Sequence, residues 1–281
     1  MRDIHTEQIA EAVAQLCIRA NLLLPEDALD AIRAAGAQEQ SPVCRALFAD
    51  LERNAAAAAE DYTPLCQDTG LAVVFAEVGQ DVHITGGLFE EAVNEGVRRG
   101  YTEGYLRKSV AAMPLYHRVN TGDNTPAMLT VRLVPGEQIR LTVAPKGAGS
   151  ENMSALAMLT PADGERGVRE FVLDTVRKAG PNPCPPLIVG VGIGGSMDKA
   201  ALIAKQALLR PVGEASPDAD IARLEQTLLG DINALGIGAQ GFGGSVTALA
   251  VHIETMACHI ASLPVAVNLQ CHCARHAQTV L

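Results

Sequence analysis

The sequence predicts an α+β protein, with mixed and antiparallel sheet elements surrounded by helices and an N-terminal helical region. Apolar residues fall at helical spacing through the first sixty positions, and short β-rich runs then alternate with amphipathic stretches of helix length. Of the 281 residues 48% are apolar but only 3% aromatic, so closely packed Ala, Val, Leu and Ile must form the core. We expect one domain over residues 1–281.

Residues 1–62 are predicted to form a helical scaffold. Apolar side chains recur at helical spacing over residues 9–17, and Pro25 opens a second helical segment. Ser41-Pro42 is typical of a helix cap and first turn, followed by a third helix through residues 55–59. We expect this scaffold to lie outside the chemistry and propose that it supplies an α–α dimer contact.

Residues 63–281 are predicted to mix strands and helices. Strands are predicted at 71–78, 187–191, 246–251 and 264–269, and helices at 88–101, 165–178, 198–209 and 221–235. Two alternating runs, 128–134 and 139–143, flank the turn signal Pro135-Gly136. This pattern predicts a β-hairpin, and therefore an antiparallel element in the sheet.

The charge balance and the start of the chain exclude several classes of protein. With 22 basic and 32 acidic residues and no stripe of Lys or Arg, the sequence does not predict nucleic-acid binding. Charged residues occur from the second position onward, and no apolar run approaches the roughly 20 residues that span a bilayer. We expect a cytoplasmic protein without a membrane segment, whose seven cysteines are thiols or metal ligands.

A first candidate site lies in the loop at residues 64–70. Cys66, Gln67 and Asp68 place a thiol, an amide and a carboxylate side by side directly before a predicted buried strand. Catalytic groups often occupy loops held by a rigid scaffold. The alternative is a turn built by Asp68 and Thr69 beside a buried cysteine.

Two further cysteine segments could bind metal. Prolines on both sides of Cys184 fix the local backbone, which suits a ligand held in a preset direction, although a stiff loop is the simpler interpretation. Near residue 270 soft ligands concentrate. A zinc site could be built there from Cys271, Cys273, His276 and His259.

Glycine-rich segments leave a nucleotide-dependent oxidoreductase open as an alternative. Residues 190–195 follow a predicted strand and precede a helix, as a dinucleotide fingerprint requires, but no convincing acidic residue follows about 20 positions on. Residues 236–241 follow a predicted helix and precede a predicted strand, which is the reverse of the order that the fingerprint requires. The glycines of residues 146–152 can turn backbone amides toward an anion, and Arg107 can bind both oxygens of a carboxylate.

The ordered set of these segments resembles the iron-sulfur α subunit, or N-terminal half, of class I fumarate hydratases and L-tartrate dehydratases. The resemblance covers residues 60–281, and no single motif carries it. It runs through residues 66–70, 105–107, 120–126, 146–152, 184–186, 236–241 and 271–272.

The resemblance implies a [4Fe-4S] cluster held by Cys66, Cys184 and Cys271. Three thiolates leave one iron with an open position, as Lewis-acid chemistry needs. Cys273 stands where the family has a small residue, so either it or Cys271 could be the third ligand. Cys271 is chosen because it directly precedes His272, in the family's Gln-Cys-His order.

The resemblance also implies the reaction, which is the reversible hydration of fumarate to malate, with L(+)-tartrate or another 2-hydroxy diacid as the alternative substrate. Gln67, Arg107, Gly149 and His259 are expected to bind the dicarboxylate, and Asp68 to take part in proton transfer. Single-chain relatives carry further carboxylate-binding cations and the C3 base in a second domain. A separate β subunit is therefore expected to complete the site.

Overall fold

The computed structural model describes all 281 residues. Its helices are α1 (Thr6–Leu22), α2 (Glu26–Gln38), α3 (Pro42–Asp61), α4 (Phe89–Glu103), α5 (Ala148–Glu151), α6 (Gly164–Ala179), α7 (Met197–Ala207) and α8 (Ala219–Asn233), with a 3-10 turn at Ala239–Gly241. Its strands are β1 (Arg2–His5), β2 (Leu71–Gly79), β3 (Val82–Thr85), β4 (Met128–Val134), β5 (Ile139–Lys146), β6 (Ala155–Leu159), β7 (Leu187–Gly194), β8 (Ala248–Met256), β9 (Leu263–Gln270) and β10 (Ala277–Val280). None of the helices combines the length and the apolar character that crossing a membrane requires.

Contacts divide the chain into two compact units. Unit 1 comprises Met1–Leu24, Ala57–Ala148 and Arg275–Leu281, and unit 2 comprises Pro25–Ala56 and Gly149–Ala274. Both units contain helices and sheet strands, which confirms the predicted α+β class. The division does not test whether the units fold together, so the single domain remains a prediction.

The predicted N-terminal helical region is confirmed as α1, α2 and α3, with a short strand before it that was not predicted. This strand, β1, pairs in parallel with β3. The side chain of His5 then caps α1: its Nδ1 accepts the N–H of Glu7, and Gln8 Oε1 accepts the N–H of His5. Such reciprocal bonds satisfy amides that a helix start leaves without partners.

The larger sheet of unit 1 has the strand order β10-β5-β2-β4. The central strand β2 pairs in parallel with β4 and antiparallel with β5, and β10 pairs antiparallel with β5. Seven of the nine residues of β2 are buried, which explains its nearly continuous apolar sequence.

The predicted hairpin is wrong in its pairing, although both strands exist where expected. Strand β2 lies between β4 and β5, so the two predicted neighbours are not hydrogen-bonded to each other. The connecting turn instead passes over the end of β2: Asp81 N–H donates to the Gly136 carbonyl, and Gly79 N–H to that of Gln138. A Cβ on Gly79 would lie 2.3 Å from the Gly136 oxygen, so only glycine allows this crossing.

Helices α1 and α4 pack closely in the core of unit 1. Two glycines on α4 permit this approach, because a Cβ on Gly96 would lie 2.5 Å from the Ala10 oxygen and one on Gly100 would lie 2.8 Å from that of Ala14. The buried face of α1, including Ile9 and Val13, joins the same apolar cluster as the inner face of β2. This core supports the loop that leads into β2.

The sheet of unit 2 has the order β6-β9-β7-β8, with β7 parallel to β8 and antiparallel to β9. One face packs against α6 and α8. On the other, α7 lies almost directly on the backbone of β7: a Cβ on Gly190 would lie 2.2 Å from the Ala204 oxygen, and one on Gly192 would lie 2.1 Å from that of Ala200.

The placement of these glycines contradicts the dinucleotide interpretation. Gly190, Gly192 and Gly194 lie inside β7 rather than in a loop after it, so they do not form a phosphate-binding turn. Gly190 and Gly192 admit α7, whereas a Cβ on Gly194 would lie 1.9 Å from the Met256 oxygen of β8. Among the other predictions, β8 begins at Ala248 and continues to Met256, later and further than expected, and β3, β6 and β10 were not predicted.

Candidate active site

The loop between α3 and β2 in unit 1 carries Cys66, Gln67 and Asp68. Leu65 anchors its start, because this residue is buried and its N–H donates to the Asn21 carbonyl over 2.8 Å. Cys66 is half-buried and Gln67 exposed, and the Cys66 Sγ lies 3.4 Å from Gln67 Oε1. The loop therefore presents a thiol and an amide at the surface on a fixed base.

Backbone amides hold both carboxylate oxygens of Asp68. Oδ1 accepts the N–H of Gly70 at 3.0 Å, and Oδ2 accepts the N–H of Ala148 at 2.8 Å. The first bond is the Asx turn that the sequence offered as an alternative. Each carboxylate oxygen has a second lone pair, so these bonds fix the orientation of Asp68 without using its full capacity as an acceptor.

A buried cation lies beneath the loop. Arg275 is only 1% exposed, and its Nη1 donates to the Asp68 carbonyl over 2.7 Å and to Asn21 Oδ1 over 3.2 Å. The amide of Asn21 donates in turn to the Cys17 carbonyl over 2.9 Å. Because burying a charge without partners is very costly, this network fixes the backbone of the loop strongly.

Two more buried side chains bind the end of the loop. The Tyr101 hydroxyl donates to the Thr69 carbonyl over 2.8 Å, and Asn124 Nδ2 donates to that of Gly70 over 3.1 Å. Burial raises the pKa of Tyr101, so this phenol remains a proton donor. Thr69 Oγ1 donates to the carbonyl of Arg107, which ties the exposed Arg107 to the same loop.

In unit 2 the segments of Cys184 and Cys271 are neighbours. Cys184 lies between α6 and β7, is exposed, and has a positive φ of 55°. Cys271 directly follows β9 and is half-buried. The N–H of His272 donates to the Cys184 carbonyl over 3.4 Å, so the backbone segments of these two predicted ligands are hydrogen-bonded neighbours.

The seven cysteines differ in burial. Cys17, Cys44 and Cys273 are buried, Cys66 and Cys271 half-buried, and Cys184 and Cys258 exposed. Burial raises the pKa of Cys17 to about 12, which keeps it a protonated thiol at neutral pH. Three of the four accessible cysteines are those that the resemblance picked out as ligands.

Within neither unit do three or more His, Cys, Asp or Glu side chains come together to hold a metal ion. The structure therefore gives no support to a zinc site formed by Cys271, Cys273 and His259 inside unit 2. The predicted cluster ligands are divided, with Cys66 in unit 1 and Cys184 and Cys271 in unit 2. That ligand set stays a prediction.

The remaining predicted residues of unit 2 lie on exposed turns. His259 lies between β8 and β9, where its Nδ1 accepts the N–H of Ala261 over 3.1 Å. In the neutral ring the proton must then be on Nε2, which leaves an N–H donor available. Gly149 is exposed in the single turn α5, and a Cβ there would lie 3.1 Å from the Asn182 oxygen.

A pocket of about 190 Å³ in unit 2 is lined by Glu225 and His252, and Glu225 belongs to a buried ion cluster. Arg210 donates to Glu225 over 2.6 Å and to Glu254 over 2.7 Å, and Glu225 also accepts the N–H of Ile253. His252, which lines the pocket, is buried, and burial together with the charge of Arg210 lowers its pKa. These bonds join α8 to β8, which is a structural function.

A family model described as Fumarate hydratase (Fumerase) matches residues 10–280. The chain belongs to this family. It is 43% identical over 276 residues to a Methanocaldococcus jannaschii protein with the provisional name L(+)-tartrate dehydratase subunit alpha, covering 96% of each chain. It is also 32% identical to L(+)-tartrate dehydratase subunit alpha of Escherichia coli strain UTI89 and 31% to that of Shigella sonnei, covering 94% of this chain and 88% of each relative.

Several side chains that shape these loops were not predicted. Asn21, Tyr101 and Arg275 bind the loop of Cys66 from beneath, but each is separated from it in sequence by 30 residues or more. Asn124 lies in residues 120–126, one of the segments that carry the resemblance, but no role was predicted for it. A signal for Gln240 was available, because it is the one polar side chain in the glycine-rich run 236–241.

Proposed function

We propose that this chain is the α subunit of a hydro-lyase that adds water to, or removes it from, a small dicarboxylic acid. The observation that carries the proposal is the family match over residues 10–280. The family description favours fumarate and malate as substrates. The names of the relatives, which agree on L(+)-tartrate at 31 to 43% identity, favour tartrate as the second candidate.

We propose Cys66, Cys184 and Cys271 as ligands of a [4Fe-4S] cluster. The donor set fits, because thiolates are the usual ligands of such clusters and all three cysteines are accessible. Cys271 is favoured over Cys273, since Cys273 is only 3% exposed and Cys271 adjoins the Cys184 backbone. When bound, a cluster with three thiolate ligands supplies an open iron, a Lewis acid for a substrate hydroxyl.

The other proposed residues have chemistry that suits a dicarboxylate. Arg107 is exposed on a segment tied to the Cys66 loop, and its planar guanidinium can bind both oxygens of a carboxylate. Gln67, the Gly149 backbone and the Nε2–H of His259 offer further donors. Asp68, oriented by two amides, is proposed to hold or move a proton at its carboxylate.

A separate β subunit is proposed as the partner, because the relatives are named as α subunits. It would contribute the remaining carboxylate-binding cations and the C3 base. We also propose that the helical region of residues 1–62 mediates an α–α contact, and that the protein works in the reducing cytoplasm, where accessible thiols stay available for iron.

The first test is chemical analysis of anaerobically purified protein. We expect iron and sulfide in equal amounts, near four of each per chain, and a brown chromophore that is lost in air. Replacement by serine at Cys66, Cys184 or Cys271 should abolish both. Cys258→Ser is the matched control, because Cys258 is also exposed but lies outside the ligand set.

Activity is then measured with the β subunit present, on fumarate and on L(+)-tartrate separately. The substrate with the higher kcat/KM identifies the reaction. Wild-type protein without iron, or full iron content and activity in all three serine variants, would refute the proposed cluster. Full activity of the α chain alone would refute the need for a β subunit.

A further inference from the structure

Gln240 joins the two cysteine segments of unit 2. Its backbone N–H donates to the carbonyl of Pro185 over 2.9 Å, and its side-chain Nε2 donates to the same oxygen over 2.8 Å. The same Nε2 lies 3.3 Å from Nδ1 of His272. Gln240 therefore contacts the residue after Cys184 and the residue after Cys271 with one amide group.

His272 completes the connection. Its N–H donates to the Cys184 carbonyl over 3.4 Å, and its Nδ1 lies 3.1 Å from that oxygen. The ring nitrogen can donate to the carbonyl or accept from Gln240, but each tautomer allows only one of these bonds. With a proton on Nδ1 the ring donates to the Cys184 carbonyl and joins the two cysteine segments. Without that proton Nδ1 accepts from Gln240 and joins Gln240 to the Cys271 segment.

The backbone conformation at Gln240 is one that glycine would adopt more easily. Its φ is +52°, in the left-handed region that favours glycine, and Gly238 and Gly241 on either side have positive φ as well. A glycine at position 240 would adopt this conformation without steric cost. The fold therefore keeps a side chain at position 240 at a conformational cost, and its hydrogen bonds to Pro185 and His272 give that side chain a use.

The turn that carries Gln240 rests on a rigid support. The carboxylate of Glu39, which is 2% exposed, accepts the N–H groups of Ser245 and Val246 through Oε2 and those of Gln40 and Ser41 through Oε1. Burial alone would raise the pKa of Glu39, but the hydrogen bonds outweigh burial and lower it.

Close backbone packing fixes the turn itself. A Cβ on Gly238 would lie 1.7 Å from the Gly243 oxygen, and one on Gly241 would lie 2.4 Å from the Cβ of Pro181, just before the Cys184 segment. These contacts leave little freedom for the turn to move. A side chain can position a binding group accurately only when its own base is held in this way.

We propose that Gln240 is a positioning residue that holds the Cys184 and Cys271 segments together, so that both thiols are presented before a cluster binds. The inference rests on the proposed function for the purpose of the two thiols. The connection itself is a property of the protein without cluster and can be measured there.

The experiment compares amide hydrogen exchange in cluster-free wild type and Gln240→Gly. The substitution removes the side-chain bonds but keeps the backbone donor and suits the positive φ, so the variant should fold. The control is His117→Gly, an exposed non-glycine residue of unit 1 with φ +64°. Gln240→Glu is a second variant, because it keeps the shape of the side chain but its carboxylate cannot donate to the Pro185 carbonyl.

In both Gln240 variants we expect exchange at least tenfold faster in peptides covering 183–187 and 271–274, and faster iron loss after cluster reconstitution. The His117→Gly control should match wild type in both measurements. Unchanged exchange would overturn the proposal, and so would faster exchange with wild-type iron retention. Wild-type protein that takes up no iron would instead contradict the proposed function, while the exchange comparison would still test the connection.

Discussion

Arg275 donates a hydrogen bond to the backbone carbonyl of Asp68 over 2.7 Å from a side chain that is almost completely buried. Asp68 lies 207 residues earlier in the chain. The conformation of the loop that carries Cys66 and Gln67 therefore depends on a residue beside β10. A nearly inaccessible guanidinium is part of the support for the candidate site.

Replacement of Arg275 should destabilise the protein and loosen this loop. Arg275→Leu leaves the Asp68 carbonyl and Asn21 Oδ1 without their charged donor, which should cost about 2–4 kcal/mol in urea unfolding. A thiol reagent should also react faster with Cys66 in the cluster-free protein. The control is Arg223→Leu, because Arg223 is largely exposed and pairs only with Asp220. Equal stability and reactivity in both variants would contradict the supporting function of Arg275.

The packing of α7 on β7 predicts opposite effects of two Gly→Ala substitutions. In Gly190→Ala the new methyl group would meet the Ala204 oxygen at 2.2 Å, so the helix must move away, at a cost of about 1–3 kcal/mol or more. In Gly230→Ala, within α8, nothing lies within 4 Å of the new atom. That variant should gain up to about 1 kcal/mol from helix propensity. Thermal or urea unfolding tests both, and a stable Gly190→Ala variant would show that α7 does not rest on the strand.

Acidification should weaken unit 2 through His252. Burial and the charge of Arg210 hold the pKa of this imidazole below its ordinary value of about 6.5 in the folded state. Below that pH the unfolded chain binds a proton that the folded protein excludes, so stability falls by up to about 1.4 kcal/mol per pH unit until the folded pKa is reached. Glu225 and Glu254 near Arg210 act in the opposite direction but do not reverse the shift.

The test of this pH dependence is urea unfolding at pH 7.5, 6.5 and 5.5 for wild type and His252→Asn. The asparagine amide can still donate to the Ala207 carbonyl, as the ring nitrogen does, but it does not titrate. The variant should lose less stability on acidification than wild type. His83→Asn, at an exposed histidine, is the control and should follow wild type. A wild-type slope in His252→Asn would exclude this histidine as the cause.

Sequence patterns predicted the positions of helices and strands better than the pairing of strands. The helices α4, α6, α7 and α8 and the strands β2, β7 and β9 lie within a few residues of the predicted ranges, because their periodicity is a local property. The predicted hairpin pairing is wrong because β2, a strand from much earlier in the chain, lies between β4 and β5. The turn from β4 to β5 can pass over the end of β2 only because Gly79 has no side chain. The short edge strands β1, β6 and β10 have too few residues for a clear pattern.

For the candidate site, sequence comparison identified side chains that could carry chemistry but not those that hold them. Cys66 and Cys184 stand out because of their neighbours in the sequence. Asn21, Tyr101 and Arg275 look like ordinary helix or terminal residues, and only the fold brings them beneath the loop. The glycines at 190–195 show the converse error, since a familiar spacing there serves close packing of α7 and β8 on β7 instead of phosphate binding.

The composition of unit 1 from residues 1–24, 57–148 and 275–281 has a consequence for biosynthesis. While the ribosome is still translating the middle of the gene, the Cys66 loop has neither its guanidinium nor the β10 strand beside β5. The loop can reach its final conformation only after residues 275–281 have emerged from the exit tunnel. Any delivery of iron to a finished Cys66 loop is therefore expected only after residues 275–281 have joined unit 1.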